Sequence, residues 1–140
     1  MIYTPLTKKA MILACRAHEG QVDKSGLPYI HHPLHLAEQM EDELTTCVAL
    51  LHDVVEDTEV TFEDLKDFPQ EVLAALRLLT HDPEISYLDY VRKIAEDPVA
   101  KAVKIADLNH NRDLTRLNAV TPRDLARAEK YAKAFSLLTE

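Results

Sequence analysis

The stretch that decides the fold runs from Ala49 to Thr58 and reads ALLHDVVEDT. His52 and Asp53 stand side by side in an apolar, helix-like run, and the carboxylates of Glu56 and Asp57 follow within one turn. On an α-helix, Glu56 shares a flank with His52, and Asp57 shares a flank with Asp53. The stretch therefore predicts a helix that carries a polar, potentially reactive flank.

A second face of the same helix is apolar and is expected to pack on the core, since its spacing is that of an amphipathic helix. It comprises Leu44, Val48, Leu51 and Val55. Polar groups beside a buried face are costly unless a partner satisfies them. An exposed acidic helix end, with His52 as a satisfied core histidine, would explain the motif equally well, because a two-residue match is common by chance.

The composition predicts one all-α domain, a single-domain helical bundle over residues 1–140. Hydrophobic residues make up 46% and charged residues 29%, and there are only two glycines. Side-chain acceptors precede proline at Thr4-Pro5, Asp97-Pro98 and Thr121-Pro122, a pattern typical of helix starts. We predict helices at 5–19, 33–41, 43–57, 62–67, 69–80, 87–96, 98–113 and 122–138, and the longest loop at 20–32.

The net charge and the cysteines limit which partners and which cellular compartment we expect. The formal net charge of −8 argues against nucleic acid as a partner, but a bound metal and local Lys or Arg can still admit a phosphorylated substrate. Cys15 and Cys47 lie isolated in apolar patterns and are interpreted as buried, reduced thiols. No signal peptide or spanning segment is visible, so we expect a cytoplasmic protein without a membrane partner. The oligomeric state is not indicated.

Three apolar segments carry histidines or acids. They are residues 29–33 with two histidines, His52-Asp53, and residues 103–111, where Lys104, Asp107 and Asn111 share a helix face. Two imidazoles and two carboxylates suit a first-row divalent ion that keeps room for water, whereas a structural zinc site would favour cysteines. Taken singly, His32 could cap a helix and Asp107 could simply pair with Lys104.

The motifs together resemble those of HD-domain phosphohydrolases. They are Gly-x-Pro-Tyr-Ile-His-His-Pro over 26–33, Leu-His-Asp-x-x-Glu-Asp-Thr over 51–58 and Val-Lys-x-Ala-Asp-x-x-His-Asn over 103–111. More closely, they are similar to the (p)ppGpp hydrolase domain of the RelA/SpoT homologues and the stand-alone small alarmone hydrolases. The likeness extends from about Ala14 to Leu117, which is most of the chain.

The resemblance implies an all-helical enzyme that uses Mn²⁺, or another first-row divalent metal, to remove the 3′-pyrophosphate from guanosine 3′,5′-bis(diphosphate), ppGpp. It assigns the metal to His32, His52, Asp53 and Asp107, with His32 rather than His31 as the ligand because His32 directly precedes Pro33. Glu56 and Asp57 match the acidic pair that positions the attacking water. The substrate-side positions are Lys24, Ser25, Lys104 and Asn111. We expect only the hydrolase half, because a synthetase domain would not fit in this length.

Three positions depart from the family pattern on the base-binding side. Asp23 stands where an arginine usually packs against the purine, Leu27 replaces a commonly polar residue, and Leu108 replaces the arginine after Asp107. An acid cannot stack on a purine as a guanidinium does. Arg16 or the ring of Tyr29 is the nearest replacement in sequence.

Two alternatives to ppGpp hydrolysis stay open at the level of sequence. One is a metal phosphohydrolase that acts on another nucleotide or phosphate ester. The other is a non-catalytic nucleotide-binding module that keeps its metal for structure. The intact pair Glu56-Asp57 argues against the second, since a purely structural site needs no acids beyond its ligands.

Overall fold

A computed structural model describes residues 1–140, and its regular structure is helical throughout, which confirms the all-α prediction. The single β-type pairing is an isolated antiparallel bridge between Val22 and Pro28. The α-helices are α1 (Pro5–Ala17), α2 (His31–Glu38), α3 (Glu43–Leu51), α4 (Val54–Asp57), α5 (Gln70–Leu79), α6 (Tyr87–Ile94), α7 (Pro98–Asn111) and α8 (Pro122–Thr139). Two 3₁₀ turns lie at Glu63–Leu65 and Leu114–Arg116.

The capping residues begin helices where the sequence predicted them. The side chains of Thr4, Asp97 and Thr121 each accept a hydrogen bond from a backbone N–H in the first turn. Such caps satisfy amide groups that have no partner within the helix, and each contributes about 1 kcal/mol to stability. The Asp97 cap fixes the start of α7, the helix that carries Asp107.

The helix predicted at 43–57 is wrong in one respect, because it is broken in the middle. Helix α3 ends at Leu51, and α4 begins at Val54. At the break, Asp53 has φ −104° and ψ −3°, away from regular helical values. Local hydrogen bonding contributes, since His52 Nδ1 lies 2.7 Å from the carbonyl oxygen of Ala49. His52 and Asp53 therefore occupy a junction between two helices.

Other boundaries also differ from the prediction. Helix α2 begins at His31, two residues early, so that His32 belongs to its first turn. The helix expected at 62–67 is only a 3₁₀ turn, and the 3₁₀ turn at Leu114–Arg116 was not predicted. Short 3₁₀ turns form from i→i+3 hydrogen bonds and have no long apolar period that a sequence pattern could reveal.

Helix α3 lies at the centre of the core and contacts α1, α2, α5 and α7. All residues from Thr45 to Leu51 are buried. Within the predicted apolar face, Val48 and Leu51 are buried, and Leu44 and Val55 pack against the core while partly exposed. Because α2, α3 and α7 meet through this packing, the polar residues that they carry are held at fixed separations.

The two cysteines differ from each other. Cys47 is buried in α3, as expected, but Cys15 is exposed, so that part of the prediction is wrong. Helix α1 turns Ala10 and Ala14 toward the core, and Cys15 falls on the opposite, outer face. Both thiols are free. None of the helices combines the length and the apolar character needed to cross a bilayer.

Candidate metal centre and the adjoining pocket

Four side chains from three separate elements converge on one buried point. His32 comes from α2, His52 and Asp53 from the α3–α4 junction, and Asp107 from α7. His32 Nε2 lies 2.8 Å from Asp107 Oδ1 and 3.8 Å from Asp53 Oδ2. His52 Nε2 lies 2.9 Å from Asp53 Oδ2 and 3.5 Å from Asp107 Oδ1, and the two Nε2 atoms are 3.3 Å apart.

These separations fit a shared cation. Ligand atoms held about 2.1 Å from one first-row ion lie roughly 3.0–3.4 Å from each other in octahedral or tetrahedral sites. The distances from each imidazole Nε2 to the two carboxylate oxygens, 2.8 to 3.8 Å, bracket that range, and ligand atoms of His32, His52 and Asp53 all lie within 4.8 Å of one another. Two imidazoles and two carboxylates are also a donor set that such an ion accepts. The residues present therefore fit a divalent metal.

Electrostatics at the cluster favour the charged forms of its acids. Burial alone would raise the pKa of Asp53, but the neighbouring His52 outweighs it and lowers the pKa to about 2. Burial likewise opposes ionisation of Asp107, while Lys104 and the two imidazoles hold its pKa well below the usual range. Both carboxylates are thus ionised and able to bind a cation at neutral pH.

A second layer of contacts orients the carboxylates. The hydroxyl of Tyr29 donates to Asp53 Oδ2 at 2.6 Å. Lys104 Nζ donates to Asp107 Oδ2 at 2.8 Å, and Asn111 Nδ2 donates to Asp107 Oδ1 at 2.9 Å. Partners of this kind fix the orientation of metal ligands and tune their basicity.

The second imidazole nitrogens are also occupied. His52 Nδ1 faces the backbone carbonyl of Ala49 at 2.7 Å, and His32 Nδ1 faces Nδ1 of His110 at 2.7 Å. Burial, reinforced by the nearby Arg116, lowers the pKa of His110 to about 3. The His110 ring is therefore neutral at physiological pH, and one of its two nitrogens can accept a hydrogen bond.

Glu56 and Asp57 stand on the exposed side of the cluster. Their carboxylate oxygens and those of Asp53 lie within 4.8 Å of one another. Glu56 accepts a hydrogen bond from the backbone N–H of His81. Burial raises the pKa of both acids, and the charge of Asp53 adds to the effect. An acid with a raised pKa beside a metal centre is a candidate proton acceptor.

A cavity of about 360 Å³ opens beside His32. It lies between the loop before α2, the 3₁₀ turn at Leu114–Arg116 and the first half of α8. Its walls carry Val22, Asp23, Lys24, Ser25, Tyr29, Asn111, Asp113, Leu114, Arg116, Leu117, Asp124, Arg127 and Tyr131. Three of the four substrate-side residues expected from the sequence, Lys24, Ser25 and Asn111, line this cavity.

Lys104, the fourth, lies elsewhere. It is 9% exposed, is ion-paired with Asp107 and lies near the rings of Tyr87 and Tyr90 at 5.9 and 5.2 Å. It does not line the cavity. Its ammonium group pairs with Asp107 in this structure, as the shared helix face allowed, and its substrate-side role stays a prediction.

Asp23 and Arg116 form a feature of the cavity that the sequence did not reveal. Asp23 Oδ1 accepts hydrogen bonds from the backbone N–H groups of Ser25 and Leu27, and its Oδ2 lies 3.8 Å from Arg116 Nη2. Asp23 thus stabilises the conformation of the loop through these hydrogen bonds. It also lies beside the guanidinium of Arg116, a residue far away in the sequence.

The expected replacements for the missing arginine are only partly placed at the pocket. Arg16 lies along a different groove, beside Lys8, Lys9 and Asp57, because it projects from the outer face of α1. Arg16 therefore does not line this cavity, and its role toward the base stays a prediction. Tyr29 does line the cavity, with its hydroxyl bound to Asp53.

Sequence reasoning did not predict the contacts that three residues make at the site: Tyr29, His110 and Arg116. His110 and Tyr29 lie inside motifs already singled out, so their position in those motifs was the available signal. Arg116 had no such signal, because its approach to Asp23 spans 93 residues and depends on the unpredicted 3₁₀ turn.

Comparison with known proteins agrees with this architecture. Residues 10–130 match the family described as HD domain. The bifunctional (p)ppGpp synthase/hydrolase SpoT of Escherichia coli K12 is 35% identical over 137 residues, covering 86% of this chain and 20% of SpoT. A GTP pyrophosphokinase of Streptomyces coelicolor is 40% identical over 118 residues, covering 74% of this chain and 14% of that protein.

A solved structure is similar over nearly the whole chain. It is described as a metazoan ortholog of SpoT that hydrolyses ppGpp and plays a role in starvation responses. The TM-score is 0.78 at 27% identity, over 99% of this chain and 88% of that one. The chain spans a fifth or less of the length of the two curated relatives. The matched region covers most of the present sequence, and the chain belongs to the HD domain family, with similarity to SpoT-type proteins.

Proposed function

We propose that this protein is a metal-dependent hydrolase that removes the 3′-pyrophosphate from ppGpp. The proposal rests on one observation: the candidate metal site and a cavity with basic side chains lie next to each other. Four ligand-type atoms converge at one buried point, and a cavity of about 360 Å³ with lysine and arginine side chains in its lining opens directly beside it. The relatives named for ppGpp hydrolysis indicate the substrate.

His32, His52, Asp53 and Asp107 would hold the cation, and Mn²⁺ is the ion we propose. When bound, such a cation lowers the pKa of a coordinated water and polarises a phosphoryl oxygen. Lys104 and Asn111 donate hydrogen bonds to Asp107, and Tyr29 donates to Asp53, so these contacts orient the two carboxylates.

Glu56 is the proposed proton acceptor. Water attacks the phosphorus next to O3′, the P–O3′ bond breaks, and pyrophosphate leaves while the 3′ oxygen takes up a proton from solvent. Glu56 accepts the proton that the attacking water loses, and its raised pKa makes it a better acceptor than a glutamate with an ordinary pKa. Asp57, on the same side of Asp53, orients the water or Glu56 through hydrogen bonding.

The substrate side uses residues of the cavity. Lys24 is 55% exposed and pairs with Asp124 through one of its three N–H donors, so the others remain available to a phosphate. Asn111 borders both the cavity and Asp107. Ser25 Oγ donates to the carbonyl of Arg116 and would exchange that bond to donate to a phosphate. Lys104 contributes indirectly, through Asp107.

The proposed setting is the cytoplasm, where a small phosphorylated nucleotide is the partner. A net charge of −8 disfavours nucleic acid as a competing ligand. The cations available to a polyphosphate are Lys24, Arg116 and Arg127, which share the lining of the cavity with Asp23, Asp113 and Asp124.

A nucleotide panel tests the proposal. Purified protein with Mn²⁺ should release pyrophosphate from ppGpp, and chelation should abolish the release. GDP carrying no 3′ phosphate serves as the matched control and should give none. Activity on a different nucleotide but not on ppGpp would replace the substrate and keep the reaction class. Metal and nucleotide binding without turnover would favour a binding module.

A further inference from the structure

Behind the metal centre, four histidine rings pack against one another. The rings of His110 and His32 are nearly coplanar and meet edge to edge, with centroids 5.0 Å apart and an interplanar angle of 4°, and His110 is stacked on His35 with centroids 4.1 Å apart. His31 meets His110 edge-on at 5.7 Å. Among the three that are not proposed ligands, only His110 is buried, and only it has a hydrogen bond to a proposed ligand.

We propose that His110 is the positioning residue for the metal ligand His32, which it holds by accepting a hydrogen bond from His32 Nδ1. This inference rests on the proposed metal centre and adds to it a residue outside the ligand set.

The proton count leaves one arrangement for the metal-bound protein. A neutral imidazole carries one proton, and His32 must present a bare Nε2 to a cation, so its proton sits on Nδ1. The distance from His32 Nδ1 to His110 Nδ1 is 2.7 Å, and one of the two atoms must be an acceptor. His110 therefore has a bare Nδ1 and carries its proton on Nε2.

The comparison with His52 shows why this contact is special. His52 Nδ1 is held by the backbone carbonyl of Ala49, a group that every residue supplies. The corresponding partner of His32 is a side chain, so the orientation of His32 depends on the identity of residue 110. Stacking on His35 and burial restrict the movement of the His110 ring.

The test measures Mn²⁺ affinity by the free-ion electron paramagnetic resonance signal, with the metal alone as probe. His110→Phe keeps a planar ring and loses the acceptor, and we expect Kd to rise about 10–100-fold. His110→Asn places an amide oxygen where Nδ1 stood and should restore Kd to within a few-fold of wild type. His35→Phe keeps an aromatic ring stacked on His110 and removes no hydrogen bond to a proposed ligand, so it is the control and should leave Kd unchanged.

Equal Kd for wild type and His110→Phe would overturn the inference while leaving the metal centre intact. Failure of wild type to bind Mn²⁺ would overturn both. If His110→Phe does not fold, imidazole ¹⁵N spectra of the Zn²⁺-loaded wild type decide: a protonated Nε2 on His110 and a protonated Nδ1 on His32 support the inference. A protonated Nδ1 on His110 would overturn it.

Discussion

The candidate metal centre and the adjoining pocket both carry charged side chains, but they are built in opposite ways. The ligand side chains at the centre are 4–17% exposed, and each contacts at least one other. In the pocket, the side chains of Lys24 and Arg127 are 55% and 44% exposed. Asp124 Oδ1 lies 3.1 Å from Lys24 Nζ but 3.9 Å from Arg127 Nη1. The centre is held by three packed helices, whereas the pocket is closed by a loop and a 3₁₀ turn.

This difference sets the size of the effects that substitutions should have. Charges with little access to water interact strongly and are costly to leave without a partner. Exposed charges are screened, so the loss of one typically changes an interaction by about 1 kcal/mol or less. Substitutions at the centre should therefore abolish binding or turnover, and those in the pocket should only adjust substrate affinity.

The largest effect is expected at His32. His32→Ala removes one ligand and leaves two buried carboxylates facing a single imidazole. We expect metal content to fall from stoichiometric to background by mass spectrometry, and turnover to disappear with it. His31→Ala is the matched control and should keep both, because His31 is not among the converging side chains. Normal metal content in His32→Ala would remove this residue from the site.

Next in size is the effect at Glu56. Glu56→Gln keeps the shape of the side chain and loses the proton acceptor, so kcat should fall roughly 10²–10⁴-fold while Mn²⁺ content stays normal. Glu59→Gln, an exposed acid three residues on, should leave kcat unchanged. Loss of metal from Glu56→Gln would place Glu56 among the ligands, and unchanged turnover would remove it from the reaction.

Lys104 should affect stability more than substrate binding. Lys104→Met leaves Asp107 buried without its ammonium partner, and we expect the metal-free protein to lose about 3–5 kcal/mol in free energy of unfolding, measured by urea titration. Lys101→Met, on the same helix, is the control and should cost little. A rise in KM without loss of stability would instead show that Lys104 meets the substrate directly.

The smallest effects belong to the pocket. Arg116→Ala should raise KM for ppGpp roughly fivefold with kcat nearly unchanged, since it removes a charge-assisted contact that is made equally in ground and transition states. Asp23→Asn should lower KM, because it keeps the oxygen that accepts from Ser25 and Leu27 and removes the negative charge beside the phosphates.

Arg112→Ala is the control for Arg116, since its guanidinium packs over the ring of Phe135 away from the cavity. If Arg112→Ala raised KM equally, the effect would come from a change in the fold near the end of α7 and not from loss of a substrate contact. A fall in kcat larger than the change in KM in Arg116→Ala would mean that this arginine serves the transition state.

The same contrast explains what could be predicted from sequence. Helix starts at Thr4, Asp97 and Thr121 followed from local chemistry, and the three apolar segments bearing His and Asp converge because core packing brings their helices together. The break after Leu51 was not predictable from the apolar period, which continues through it.

The pocket was harder to predict, because its contacts join residues far apart in the chain. Lys24 meets Asp124 across 100 residues, and Asp23 approaches Arg116 from the opposite wall. No local pattern encodes such pairs. Lys104 was placed on the correct helix face, but the side chains of α6 that surround it decide that it turns to Asp107.

The central claim is that one divalent cation sits among His32, His52, Asp53 and Asp107. Crystals grown with Mn²⁺ and measured at the manganese edge test it most directly, because the anomalous signal locates the ion without reference to substrate or turnover. We expect a single strong peak about 2.0–2.3 Å from His32 Nε2, His52 Nε2, an oxygen of Asp53 and an oxygen of Asp107. A peak held instead by Asp53, Glu56 and Asp57, or no peak at all, would contradict the account.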